Sequence, residues 1–341
     1  MILSARRLEE ILARLPALRV AVVGDFFLDK YLVTDPGLSE VSVETGLEAR
    51  QVVEIRCSPG AAGTVTNNLS ALGVGRIEAV GVIGQNGEGF DLARGLEATR
   101  VATTCLLHDP SRFTPTYTKP MVREGGRERE LERLDIKNRT ALPSAAEDAV
   151  LGSLREMLPG LDAVVVADQV QERNCGVVTD RVRGELAALA AQNPGVVFLA
   201  DSRVRIGEFR GVLVKPNLSE GRAACGIEGE PAEVGTMLAR RTGRPVFVTA
   251  GERGIWACDG DQAWHAPAVR VEGPIDIVGA GDSATAGIVT ALCAGATLEE
   301  AAALGCLCAS VTIRKLGTTG TASPAELRAA LAHTQRQHHS E

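Results

Sequence analysis

Six apolar runs of strand length, each ending on glycine, aspartate or asparagine, constrain this chain most: RVAVVG at Gly24, IEAVGVIG at Gly84, LDAVVVAD at Asp168, GVVFLAD at Asp201, GVLVKPN at Asn217 and PVFVTAG at Gly251. A run of consecutive Val, Ile and Leu offers no polar face, so it suits a strand covered on both sides. Amphipathic stretches such as GVVTDRVRGELAALAAQN lie between the runs and supply the covers. The pattern predicts a three-layer α/β/α fold around a mostly parallel, doubly wound sheet. At 341 residues, 45% of them hydrophobic, the chain can bury such a core, and residues 1–341 are read as a single domain. Polar and flexible residues at the strand ends mark the carboxyl edge of the sheet, where open α/β sheets bind their ligands.

Two segments break this rhythm. Residues 31–58 and 104–135 are rich in Thr, Val, Tyr and Arg, with rough period-2 alternation and a Gly125-Gly126 turn. They read as a small antiparallel β lid over the strand ends, with a pair of surface hairpins as the alternative. The polar residues 331–341 read as a disordered tail. The net charge of -7, from 36 basic and 43 acidic residues, repels polyanions and argues against nucleic acid as a partner. Eight scattered cysteines form no CxxC motif, the N-terminus reads as an amphipathic helix and no apolar run reaches membrane-spanning length. The expectation is a cytoplasmic protein with no membrane partner.

Chemistry concentrates in GPIDIVGAGDSATAGIVTALCAG, residues 273–295. Gly279 and Gly281 lack Cβ atoms, so the backbone N–H groups of Gly279, Ala280 and Gly281 can turn towards an anion at the start of a helix. Asp282 beside such an anion hole reads either as a general base acting on a hydroxyl that attacks a phosphate or as a helix cap, and both readings stand on these residues alone. No GxxxxGK[ST] is present and no GxGxxG follows the first strand, so nucleotide binding must use other elements.

From about Arg19 to Leu327 the sequence resembles the ribokinase-like, or PfkB, carbohydrate kinases, and within them the heptose 7-phosphate kinase branch. The carriers are VVGDFFLDKY, SPGAAGTVTNNLSALG (58–73), ELERLD (130–135), KPNLSE (215–220), VTAGERG (248–254) and DIVGAGDSATAG (276–287). The resemblance implies that Asp282 takes the acceptor's proton while Gly279, Ala280 and Gly281 hold the transferring phosphoryl group. It implies sugar binding by Asp29, Gly60, Ala61, Thr64 and Asn68, with Arg133 of the lid contacting an acceptor that already bears a phosphate. Arg123, Arg127 and Arg129 crowd the same segment. Nucleotide binding falls to Asn217, Glu220, Thr249, Gly251 and Gly254, with Asn217 and Glu220 acting on Mg2+ through water. Asp276 aligns with the rim of a monovalent cation site, K+ in some relatives.

Where the family shows GGAANVAMN, this chain has GAAGTVTNN, placing Ala61 and Thr64 at a glycine and an asparagine of the sugar loop. The implied activity is transfer of the γ-phosphoryl group of ATP to a sugar or sugar-phosphate hydroxyl by a homodimer paired through its lids. The first choice of acceptor is the anomeric hydroxyl of D-glycero-D-manno-heptose 7-phosphate. Ribokinase-, fructokinase- or nucleoside kinase-like activity, and a non-catalytic sugar or nucleotide sensor, are the alternatives.

Overall fold

The computed structural model describes residues 2–317 and 319–338. The chain enters through α1 (Ala5–Leu12) and β1 (Arg19–Gly24), and one residue later β2 (Phe26–Thr34) leaves the carboxyl end of that strand. A short ribbon of β3 (Glu40–Val41) and β4 (Glu48–Ala49) precedes β5 (Val52–Ala61), which runs directly into α2 (Ala62–Leu72). After β6 (Arg76–Gly84), α3 (Gly87–Ala98), β7 (Val101–Ala102) and β8 (Leu106–Asp109), a second excursion forms β9 (Thr116–Glu124), β10 (Arg127–Glu130) and β11 (Leu134–Ile136). Alternation resumes with α4 (Ser144–Met157), β12 (Ala163–Asp168), α5 (Asp180–Gln192), β13 (Val197–Ser202), β14 (Leu213–Val214), α6 (Leu218–Cys225), α7 (Pro231–Thr242) and β15 (Val246–Thr249). The hairpin of β16 (Ile255–Cys258) and β17 (Ala263–Ala266) leads to α8 (Ala280–Cys293), α9 (Leu298–Thr312) and α10 (Pro324–His338).

The main sheet has the order β17-β16-β15-β14-β13-β12-β1-β6-β7, with β8 also paired to β6. It is parallel from β7 to β15 and ends in the antiparallel β16–β17 hairpin, as expected for a mostly parallel sheet. Strand pleating sends alternate side chains to opposite faces. Val20 and Val22 accordingly pack with α2, α8 and α9 residues such as Leu69, Ile288 and Leu304, while Ala21 and Val23 pack with Leu151, Val182 and Leu238 of α4, α5 and α7. Each fully buried valine of β12 contributes roughly 1.5–3 kcal/mol of apolar transfer, which explains why the continuous runs were readable as strands.

The lid departs from expectation. Its sheet has the order β10-β9-β2-β5 with β11 on β9, and the central β2–β9 pair is parallel, so the lid is mixed and not purely antiparallel. Both strands leave the carboxyl side of the main sheet, β2 from β1 and β9 after β8, and so point the same way. Lid strands also reach beyond 31–58, from Phe26 to Ala61. The tail expected from 331 is helical as far as His338, because Leu327 and Leu331 are buried and Arg328 pairs with Glu9 of α1 at 2.6 Å. Residues 339–341 lie outside the described residues.

Candidate active site

The turn before α8 sits at the carboxyl edge of the sheet, facing the lid. Gly279 is the helix N-cap at φ 80°, and an added Cβ there would strike the Thr319 methyl, so this position needs glycine. The Ala280 N–H donates to Ile277 O at 3.2 Å, whereas the N–H groups of Gly281 and Asp282 meet no acceptor among the described residues. Helix N-termini leave such donors unsatisfied and carry partial positive charge, which suits a bound anion. Asp282 lies in the first turn without capping it, and among the described residues its carboxylate has no hydrogen bond or ion pair.

Burial pushes the Asp282 carboxyl up to about 7; the Asp201 carboxylate adds to this, and Lys215 and Arg203 oppose it. Lys215 is buried, with Nζ 2.8 Å from Asp201 Oδ2 and within van der Waals reach of a Cβ placed on Gly281. Burial works against its charge, yet Asp201, with smaller contributions from Glu220 and Asp282, more than offsets this and holds the ammonium above the ordinary lysine range. Thr285 Oγ1 bonds Gly281 O at 3.0 Å and approaches Asp201 Oδ2 at 3.5 Å. Lys215, Asp201 and Arg203 were missed as site residues. The available signal was a lysine closing the apolar run VLVK, since lysine is rarely buried without a partner.

On the lid, Asp29 Oδ1 accepts from Lys119 Nζ at 3.1 Å, and the same ammonium bonds Tyr31 Oη at 3.1 Å. The absence of a Cβ at Gly60 leaves room for the other Asp29 oxygen. Asp29 also adds to the upward push on Asp282, so the two carboxylates share one cleft. Ala61 holds φ 54° at the start of α2, a conformation that costs a non-glycine residue on the order of 1–3 kcal/mol. Thr64 is buried beside Gly279. Asn68 is buried too, its Nδ2 donating to Thr64 O at 2.9 Å, so this amide faces its own helix. Arg133 forms a fork with Asp135 at 2.8 and 2.9 Å and lies over the Tyr117 ring at 4.7 Å.

Asn217 and Glu220 form a capping box at the start of α6: Asn217 Oδ1 accepts from Glu220 N and Glu220 Oε2 from Asn217 N, each at 2.8 Å. Burial raises the Glu220 pKa, partly offset by that backbone bond. Thr249 adjoins Asn217 through a parallel bridge and donates its N–H to Pro216 O at 3.0 Å. Beside it, Gly251 (φ 58°) and Gly254 (φ 91°) shape a turn in which an added Cβ on Gly254 would collide with the Ala266 carbonyl. The Asp276 carboxylate accepts from Val278 N at 3.0 Å and Gly317 N at 3.3 Å, tying the approach to α8 to the loop after α9. Among the described residues no group of three or more His, Cys, Asp and Glu side chains could hold a metal ion. A hard cation here would keep water and phosphate oxygens as most of its ligands, the usual habit of magnesium. Glu220 suits that role, since Oε1 has no partner among the described residues.

The fold that carries this cleft is the ribokinase-like α/β fold. Phosphofructokinase-2 from Escherichia coli in complex with potassium superposes with a TM-score of 0.72 at 19% identity, covering 94% of this chain and 100% of that one. Ribokinase from Thermotoga maritima gives 0.67 at 18% identity, covering 92% and 99%. Residues 211–326 match the pfkB family carbohydrate kinases. The bifunctional protein HldE of Alkalilimnicola ehrlichii is 35% identical over 324 residues, 93% of this chain and 64% of the relative. That of Trichlorobacter lovleyi is 28% identical over 346 aligned residues, 98% and 67%. The chain thus spans about two thirds of the length of these relatives. The fold and the match over residues 211–326 are those of a pfkB family carbohydrate kinase domain, and the enzyme class is phosphotransfer to a sugar.

Proposed function

We propose that this kinase transfers the γ-phosphoryl group of ATP to the anomeric hydroxyl of a heptose 7-phosphate, with Asp282 as the general base. The observation that carries the reading is the pairing of an unpartnered Asp282 carboxylate, raised to about 7, with unpaired N–H groups in the same helical turn. A base with a pKa near the working pH is half ionised and still basic enough to take a hydroxyl proton. Asp29 orients the acceptor by accepting hydroxyl hydrogen bonds, while the N–H groups of Gly281 and Asp282 hold the oxygens of the transferring group. Lys215, behind Gly281, keeps positive charge at that oxyanion. Asn217 and Glu220 would hold Mg2+ through its water shell, and the ion supplies neutralisation of phosphate charge when bound.

The heptose choice rests on the resemblance to that branch and on HldE being the name of the 28% and 35% identical relatives. Exposed Val41, Val43, Leu47, Val53 and Ile55 around the lid favour a homodimer that covers them. A K+ ion near Asp276 is supported by the potassium named for the phosphofructokinase-2 structure. Among the described residues no helix is long and apolar enough to cross a membrane, and a cytoplasmic location is part of the proposal. A coupled ADP-release screen over sugars, sugar phosphates and nucleosides tests the reading. Heptose 7-phosphate is expected to give the highest kcat/KM, and a preference for an unphosphorylated sugar or a nucleoside contradicts it.

A further inference from the structure

The cations around the cleft are not equivalent. Lys119 is bound to Asp29, Arg133 to Asp135 and Lys215 to Asp201. Arg203, exposed just past the end of β13, has no side-chain hydrogen bond or ion pair among the described residues. Its backbone is nevertheless held firmly. The Arg203 N–H donates to Asp168 O at 3.0 Å. On either side, Ser202 Oγ bonds Asp168 Oδ2 at 2.6 Å and accepts from Arg205 N at 3.0 Å, while the buried Arg205 forks onto Asp168 at 2.5 and 3.2 Å. A rigid loop therefore presents one uncommitted guanidinium.

That guanidinium stands on the same edge of the sheet as the candidate base. Asp201, two residues earlier on β13, pairs with Lys215 behind the Gly281 turn and approaches Thr285 of α8 at 3.5 Å, so the loop opens at the carboxyl edge of the sheet beside the base, and the Arg203 charge favours the ionised form of Asp282. A guanidinium with its donors free matches a phosphate oxyanion with two parallel hydrogen bonds. We infer that Arg203 is the residue of this cleft that grips a phosphate oxyanion, either on the group being transferred or on the acceptor. This rests on the kinase reading of the site and replaces Arg133, whose fork is taken by Asp135, as the leading phosphate contact.

The test uses the full chain and the variants Arg203→Ala and Arg203→Lys. Calorimetric titration with inorganic phosphate and with ATP needs no acceptor, so it stands even if the acceptor is misassigned. Binding of at least one probe is expected to weaken about tenfold or more in Arg203→Ala, with partial recovery in Arg203→Lys and an unchanged Tm. In steady-state assays with D-glycero-D-manno-heptose 7-phosphate, a fall in kcat at unchanged KM values assigns Arg203 to the transferring group. A rise in the acceptor KM alone assigns it to the phosphate of the acceptor. Phosphate binding, ATP binding and both kinetic constants within twofold of wild type would overturn the inference. Absence of ADP release by the wild-type chain with every sugar phosphate would instead count against the proposed function.

Discussion

Lys215 Nζ lies 2.8 Å from Asp201 Oδ2, with the lysine buried directly behind the Gly281 turn. The pair keeps one positive and one negative charge beside Asp282, and the balance between them tunes the base: Asp201 raises its pKa and Lys215 lowers it. Losing either partner should therefore change both stability and the pH at which the base ionises.

Lys215→Met leaves Asp201 without its cation. Removing one side of a buried pair costs on the order of 3 kcal/mol, and Asp282 then feels Asp201 unopposed. Urea denaturation is expected to show the stability loss, and the acid limb of the kcat/KM profile should move to higher pH. An unchanged acid limb contradicts the electrostatic role.

The wild-type profile itself carries a signature. A base must be deprotonated to act, so kcat/KM should fall on the acid side with an apparent pKa near 7, set mainly by burial of Asp282. An inflection below pH 5.5 would mean that another group controls the limb.

Stability should move the opposite way. A carboxyl whose folded pKa is raised from 3.8 to about 7 contributes most below pH 4 and loses that contribution as pH rises through 7, because ionisation costs more in the folded state. Asp282→Asn removes the titration, and with one pKa unit worth about 1.4 kcal/mol, reduced by water reaching this half-buried group, the gain is on the order of 1–2 kcal/mol at pH 8. Thermal melts at pH 5 and pH 8 check the sign: the advantage of the variant must be larger at pH 8.

Gly279→Ala places a Cβ at φ 80° against Thr319. A loss of roughly 1–3 kcal/mol is expected, with turnover falling more than tenfold as the N–H groups of the turn shift. Retained turnover at reduced stability would separate the turn from the chemistry.

Much of this was legible in the sequence. Continuous apolar runs identify a sheet buried on both faces, and Gly279 identifies the turn because only a residue without Cβ fits there. The direction of the β2–β9 pairing was not, since strand direction depends on where two distant excursions leave the sheet. Nor was the partnership of Lys215 with Asp201, which requires β13 and β14 to lie side by side. Asn217 and Glu220 read as ion-binding residues from their resemblance, and their hydrogen bonds show that they also start α6. Helix α10 was hidden by its polar composition; its order comes from Leu327 and Leu331 docking on the core.

The most direct measurement is turnover and nucleotide binding of Asp282→Asn side by side. If this carboxylate takes the hydroxyl proton, the variant binds ATP within a fewfold of wild type while kcat falls by about a thousandfold or more. Near-normal kcat in a variant that still binds ATP would show that Asp282 is not the base.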